Sequence, residues 1–150
     1  MKKVATCILG LFAGLFLAVV IFYISIVIQN DNYAARLEKD ILEVPLPEKT
    51  ECVDSISRGG KLVGNGNGMQ YFGAILLKSE LSLEEITEYY KEHHHGDDFC
   101  TVEKQEGHSI DALDGFFSFK AQMSADAQYY IVYSWGNKVI KFGDLDIRGH

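Results

Sequence analysis

The chain has 150 residues, 21 acidic against 14 basic, and a formal net charge of −7. All of the acidic residues and 12 of the basic ones follow residue 28, which leaves that part at −9. Such a surface repels nucleic acid and anionic head groups, so neither is an expected ligand.

Val4 to Ile28 runs for 25 positions without a charged side chain, behind Met1-Lys2-Lys3 and ahead of Gln29-Asn30-Asp31-Asn32. As a helix it would be about 37 Å long, enough to cross a hydrocarbon core of about 30 Å with some tilt. The run reads as an anchor in a lipid bilayer, with residues 1–30 as tail plus transmembrane segment. It is longer than the apolar region of a cleaved secretory signal, typically about 7–15 residues. The small pair Ala34-Ala35 would put Tyr33 where a peptidase needs a small side chain. Cys7 lies at the start of the run, not at its end as in a lipoprotein signal. The basic residues nearest the run precede it, so the expected topology is single-pass, with the amino terminus cytoplasmic and the C-terminal domain extracytoplasmic.

Thr6, Gly10, Gly14 and Ala18 recur every four residues and form a stripe of small side chains. Such a stripe allows two helix backbones to approach in lipid, so a homodimer face is one reading. The other is that glycine is simply common in membrane helices.

Residues 31–47 come next. Tyr33, Leu37, Ile41 and Val44 are spaced at helical intervals, predicting an amphipathic juxtamembrane helix that continues the anchor. Pro45-Leu46-Pro47 holds both prolines of the chain and reads as a short, stiff connector. Residues 48–150 are then enough for one extracytoplasmic domain with a single core.

In that domain Glu51–Ser57 and Lys61–Val63 are strand candidates around Arg58-Gly59-Gly60. Met69–Lys78, apolar on both faces, predicts a central strand. Ser82 stands three residues before Glu85 as a capping box, and Leu81 with Ile86 makes a hydrophobic staple. The helix that follows puts Leu83, Ile86, Tyr90 and His93 on one side and is expected to end at Gly96. Phe99–Lys104, Gly115–Gln122, Gln128–Trp135 and Lys138–Phe142 are further strand candidates, the last two joined by a Gly136-Asn137 turn. The sum is an α+β protein: an N-terminal transmembrane helix, then a small domain with a mainly antiparallel sheet packed by one helix.

Several motifs invite chemistry. Gly64-Asn-Gly-Asn-Gly68 lacks the Gly-Lys-Ser/Thr and the following helix of a phosphate loop, and suits a tight turn instead. His93-His94-His95 diverge by about 100° per residue on a helix and by themselves do not converge on one metal; they read as partly exposed groups at a helix C-terminus, with a metal site completed by His108 or Asp97-Asp98 as the lesser reading. Asp144-Leu-Asp146 is a weak cation motif and reads as a solvated edge. No nucleophile motif is recognisable, and no cofactor or metal ligand set is expected. Cys52 and Cys100 are the only thiols of the domain. Outside the cytoplasm they could pair, closing a loop worth roughly 4 kcal/mol, or remain two buried thiols.

The stretch from Leu46-Pro-Glu through Gly64-Asn-Gly-Asn-Gly-Met-Gln-Tyr-Phe-Gly73 to Leu83-Glu-Glu-Ile-Thr-Glu-Tyr-Tyr90 resembles small single-pass membrane proteins of Gram-positive bacteria. The resemblance covers most of the domain, implies a cell-envelope location and carries no chemistry to particular residues. The expected function is a membrane-anchored extracytoplasmic binding or interaction domain, of which an immunity or inhibitor protein is one form. Tyr129, Tyr130 and Trp135 are the candidate contact surface, with ordinary sheet packing as the plainer reading. The alternative is a small envelope hydrolase working through Glu and Asp side chains; a purely structural membrane component comes third.

Overall fold

The computed structural model describes residues 2–96 and 98–150. Its first element, α1 (Lys2–Leu42), is one unbroken helix of 41 residues. The apolar run and the amphipathic segment after it therefore share a single axis. No proline or glycine interrupts the junction at Ile28–Tyr33, and the apolar stripe simply narrows from all-round to one-sided. The helix is long and apolar enough to cross a membrane, and only 6% of its most apolar window is buried. A core helix of a soluble domain would be covered instead.

Four strands follow: β1 (Thr50–Gly60), β2 (Gln70–Ser79), β3 (Cys100–Lys104) and β4 (Gln128–Trp135), with α2 (Leu83–His93) between β2 and β3. They form one sheet in the order β1-β2-β4-β3, and every neighbouring pair is antiparallel. Strands β2 and β4 are central and alternate their side chains between two covered faces. On one face Phe72, Ala74, Leu76, Tyr129, Ile131 and Tyr133 pack under Ile110, Leu113 and Phe119 from the chain between β3 and β4. On the other, Ile75, Leu77, Tyr130 and Val132 pack under Ile41 and Val44 together with Ile86 and Tyr90 of α2.

The α+β class and the antiparallel sheet match the sequence reading, but the helical layer has two members. Tyr33, Ala34, Leu37 and Ile41 are buried, so the helix before Pro45 lies against the sheet and is not a stalk standing off it. Gly73 makes this close approach possible. A methyl group there would overlap the backbone of Leu37 and Glu38.

Three strand candidates take other forms. Lys61–Val63 is not a strand: the amides of Leu62 and Val63 both donate to Oε1 of Gln70, at 2.7 and 2.9 Å. Gly115–Gln122 forms a single bridge, Ser109 to Ser118, and the amide of Ala121 donates to Asp54. Lys138–Phe142 forms no hairpin with β4, because the amides of Asn137 and Lys138 are taken by Asp98 and Tyr33. The capping box of α2 is present as expected, with both reciprocal hydrogen bonds. The helix ends earlier than Gly96, at His93, with His94 extended as its cap.

Candidate functional site

The helix α1 runs along β2, with Asn30 near Tyr71, Leu37 over Gly73 and Ile41 over Ile75 and Leu77. This gives the domain two poles. At the helix-exit pole lie the end of β1, the start of β2, the start of β3, the end of β4 and the C-terminal segment. At the far pole lie Thr50, Ser79, Lys104 and Gln128.

A polar clasp fills the helix-exit pole. Asn30 is fully buried where the apolar run gives way to polar sequence. Its Nδ2 donates to the carbonyl of Gly143 and to Oδ2 of Asp146, both at 3.1 Å, and its Oδ1 accepts from the Tyr71 hydroxyl at 2.8 Å. Asp146 is also fully buried and accepts from the Arg148 amide, Nε and Nη2, the last at 2.7 Å. Arg148 then reaches Asp31 on α1 at 2.8 Å through Nη1. The buried carboxylate is thus paired and hydrogen-bonded, which makes its burial tolerable. The hydrogen bonds from Arg148 hold the Asp146 carboxyl at about 2, while burial and the neighbouring Asp144 and Asp146 charges push the Tyr71 phenol up to about 12.

The carbonyls of this tail finish the attachment. Arg148 O accepts from Lys61 N at 2.6 Å, Gly149 O accepts from Gly68 N at 2.8 Å, and Met69 N donates to Oδ1 of Asp144 at 3.0 Å. The solvated-edge reading of the Asp-x-Asp motif therefore fails at Asp146, the buried anion that pins the C-terminal segment to α1, whereas Asp144 is exposed and ties the segment to Met69, just ahead of β2. In the sequence Asn30 was one of four polar residues, Gln29-Asn30-Asp31-Asn32, with nothing to single it out, and Arg148 two positions after Asp146 gave no spacing cue to Asp31.

A second knot lies one turn further along α1. Tyr33 donates to Oδ2 of Asp98 at 3.1 Å and accepts from Lys138 N at 3.0 Å, and its ring packs on Gly136 and edge-on to Tyr71 at 4.8 Å. Together the two knots give α1 polar as well as apolar attachment to the sheet.

The other sequence candidates fall as follows. Tyr129 and Tyr130 are buried, and Trp135 is half-buried against Phe72 at 4.9 Å. They form no contact surface, because β4 is a central strand with both faces covered. Cys52 and Cys100 are free thiols, and the disulfide reading is corrected by the topology. β1 and β3 are the two edges, with β2 and β4 between them, so three strand spacings, about 14 Å, separate the two positions even before their offset along the strands. Burial raises both thiols, Cys100 to about 12, which leaves them poor nucleophiles at neutral pH. Tyr90, with its hydroxyl also buried, is the one described side chain whose buried polar atom has no hydrogen-bond partner.

Thr6, Gly10, Gly14 and Ala18 are exposed along the bare part of α1, with nothing near either glycine. His93 is exposed and stacked on Tyr89 at 4.2 Å, away from the buried side of α2 that holds Ile86 and Tyr90. Burial lowers His94. Asp97 lies outside the described residues, and among those described no cluster of three or more His, Cys, Asp or Glu is placed to hold a metal ion. The Gly64–Gly68 loop is a turn, with Gly64 and Gly68 at φ 71° and 129°.

Among acidic groups, Glu38 accepts from Ser55 across the α1–β1 seam, in a cleft shared with Asp54. Although burial works against it, Asp54 is lowered by the amides of Ala121, Lys120 and Ser55, which marks it as a fixed anion binding a loop. A general acid needs the opposite shift. At the far pole an open groove of about 530 Å³ is lined by Lys49, Thr50, Glu51, Lys78, Ser79 and Gln128, among others. No family model, curated protein or solved structure matches the chain.

Proposed function

We propose that the chain is a single-pass membrane protein that holds a recognition domain in fixed orientation outside the cytoplasm, its amino terminus inside. One observation carries this reading: the uncharged run is bare over most of its length, while its last turns and their direct helical continuation are built into the domain. The lysines ahead of the run favour this orientation, and the resemblance to small Gram-positive membrane proteins supports an envelope setting. A bilayer at the helix-exit pole blocks approach from that side. The partner is therefore met at the far pole, where lysines, carboxylates and hydroxyls line the open groove and suit a polar, mixed-charge protein surface.

A photo-cross-linking residue at Gln128 in the full chain, expressed in its native membrane, tests the proposal. A single specific protein adduct is the expected result. Absence of an adduct, together with turnover of a cell-wall fragment by the purified protein, would replace this reading with the hydrolase.

A further inference from the structure

The helix-exit pole carries an apolar surface that the clasp does not use. Val139 is 93% exposed, Phe142 51%, Leu145 55% and Ile147 73%. These four belong to one short segment that the clasp fixes beside α1, whereas the other large apolar residues that the described domain leaves exposed, Leu42, Leu46, Phe99 and Phe116, are scattered along the chain. Scattered exposed apolar residues need no explanation, but a one-sided collection marks a contact surface.

The span itself says what covers them. The Phe142 ring packs edge-on against Phe22 of α1 at 5.6 Å, and Ile26, the next turn along, is buried by the domain. Phe22 belongs to the uncharged run and lies 18 residues, about 27 Å, beyond Val4 along the helix axis. A hydrocarbon core of about 30 Å that begins at Val4 has not ended at Phe22, and tilt only lengthens the stretch inside. Whatever touches Phe22 is at the depth of the acyl chains or their boundary.

The backbone agrees with this placement. Phe142 is held at φ 64°, a conformation that costs a bulky residue strain and that glycine or asparagine would adopt freely. The strain keeps an aromatic ring beside the span. Lys141 stands over that ring, its ammonium 5.3 Å from the centroid, the arrangement of a cation at head-group level above a ring in the interface.

We infer that residues 138–148 form a second, shallow membrane contact, in which Val139, Phe142, Leu145 and Ile147 enter the bilayer interface around the exit of α1. The inference rests on the membrane reading of the span. Its contact is apolar and local, so the acidic character of the whole domain does not oppose it. The domain then sits on the bilayer with its base immersed.

Nitroxide labels on the full chain in nanodiscs of equal parts phosphatidylcholine and phosphatidylglycerol test it. The native thiols are first removed (Cys7→Ser, Cys52→Ala, Cys100→Ala), and single cysteines are placed by Val139→Cys, Ile147→Cys, Leu15→Cys and Glu80→Cys. The expected result is that oxygen relaxes the labels at 139 and 147 more than a water-soluble nickel chelate does, as at 15, while 80 shows the reverse. Labels at 139 and 147 that behave like 80, with 15 in lipid, overturn this inference and leave the anchor intact. A water-exposed label at 15 overturns the anchor and the inference together.

Discussion

At the scale of single residues, the clasp concentrates its energy in Asp146. Its carboxyl lies near 2 in the folded protein, below the ordinary value of about 3.9 in an unfolded chain. A depressed carboxyl contributes stability above the unfolded value and loses it as pH falls toward the folded one. The C-terminal segment is therefore expected to stay closed at neutral pH and to loosen between about pH 4 and pH 2. Hydrogen exchange of the Lys61 and Gly68 amides, which donate to Arg148 and Gly149, reads this directly. Protection that is unchanged down to pH 2 would mean that the ion pair does not hold the tail. Tyr90 offers the opposite case: its buried hydroxyl has no partner, so Tyr90→Phe removes a desolvation cost and keeps the ring. The variant is expected to be more stable by about 1 kcal/mol in thermal unfolding in detergent, whereas a loss of similar size would reveal a hydrogen bond of that hydroxyl.

The elements divide by how local their signals are. The apolar part of α1, α2 with its cap, and the central strand β2 follow from apolar runs, from Ser82 and Glu85, and from two apolar faces, all of which are properties of neighbouring residues. The cover of the sheet was not legible, because the chain between β3 and β4 buries Ile110, Leu113 and Phe119 with hardly any regular structure. The false strand at Lys138–Phe142 had suitable composition, but at the turn that would lead into it the amides of Asn137 and Lys138 were claimed by Asp98 and Tyr33, far away in sequence. The docking of α1 was half legible: Tyr33, Leu37, Ile41 and Val44 marked the buried side, but what they meet depends on a glycine in β2. Gly73→Ala tests that seam. Its methyl group must push α1 off the sheet, with an expected cost of about 3 kcal/mol in unfolding experiments and loss of amide protection around Leu37. Retention of both would place the helix further from β2 than the structure does.

For the whole molecule, the candidate site was the least legible part, since its members are drawn from residue 30, residue 71 and the segment 143–148. No periodicity joins positions so far apart. What they build is mechanical: α1 leaves the domain without a hinge, locked by core side chains, by the clasp and by the Tyr33 knot. Recognition at the far pole would then occur at a fixed height and orientation above the bilayer, not at the end of a loose tether.

The central claim is that the first thirty residues stay attached and hold the domain across the membrane. Accessibility of Glu80→Cys in the cysteine-free background tests it most directly, using an impermeant maleimide on intact cells followed by alkaline washing of the membranes. Labelled full-length chain in the washed pellet is the predicted result. Label only after lysis, or a shortened chain in the soluble fraction, would contradict it.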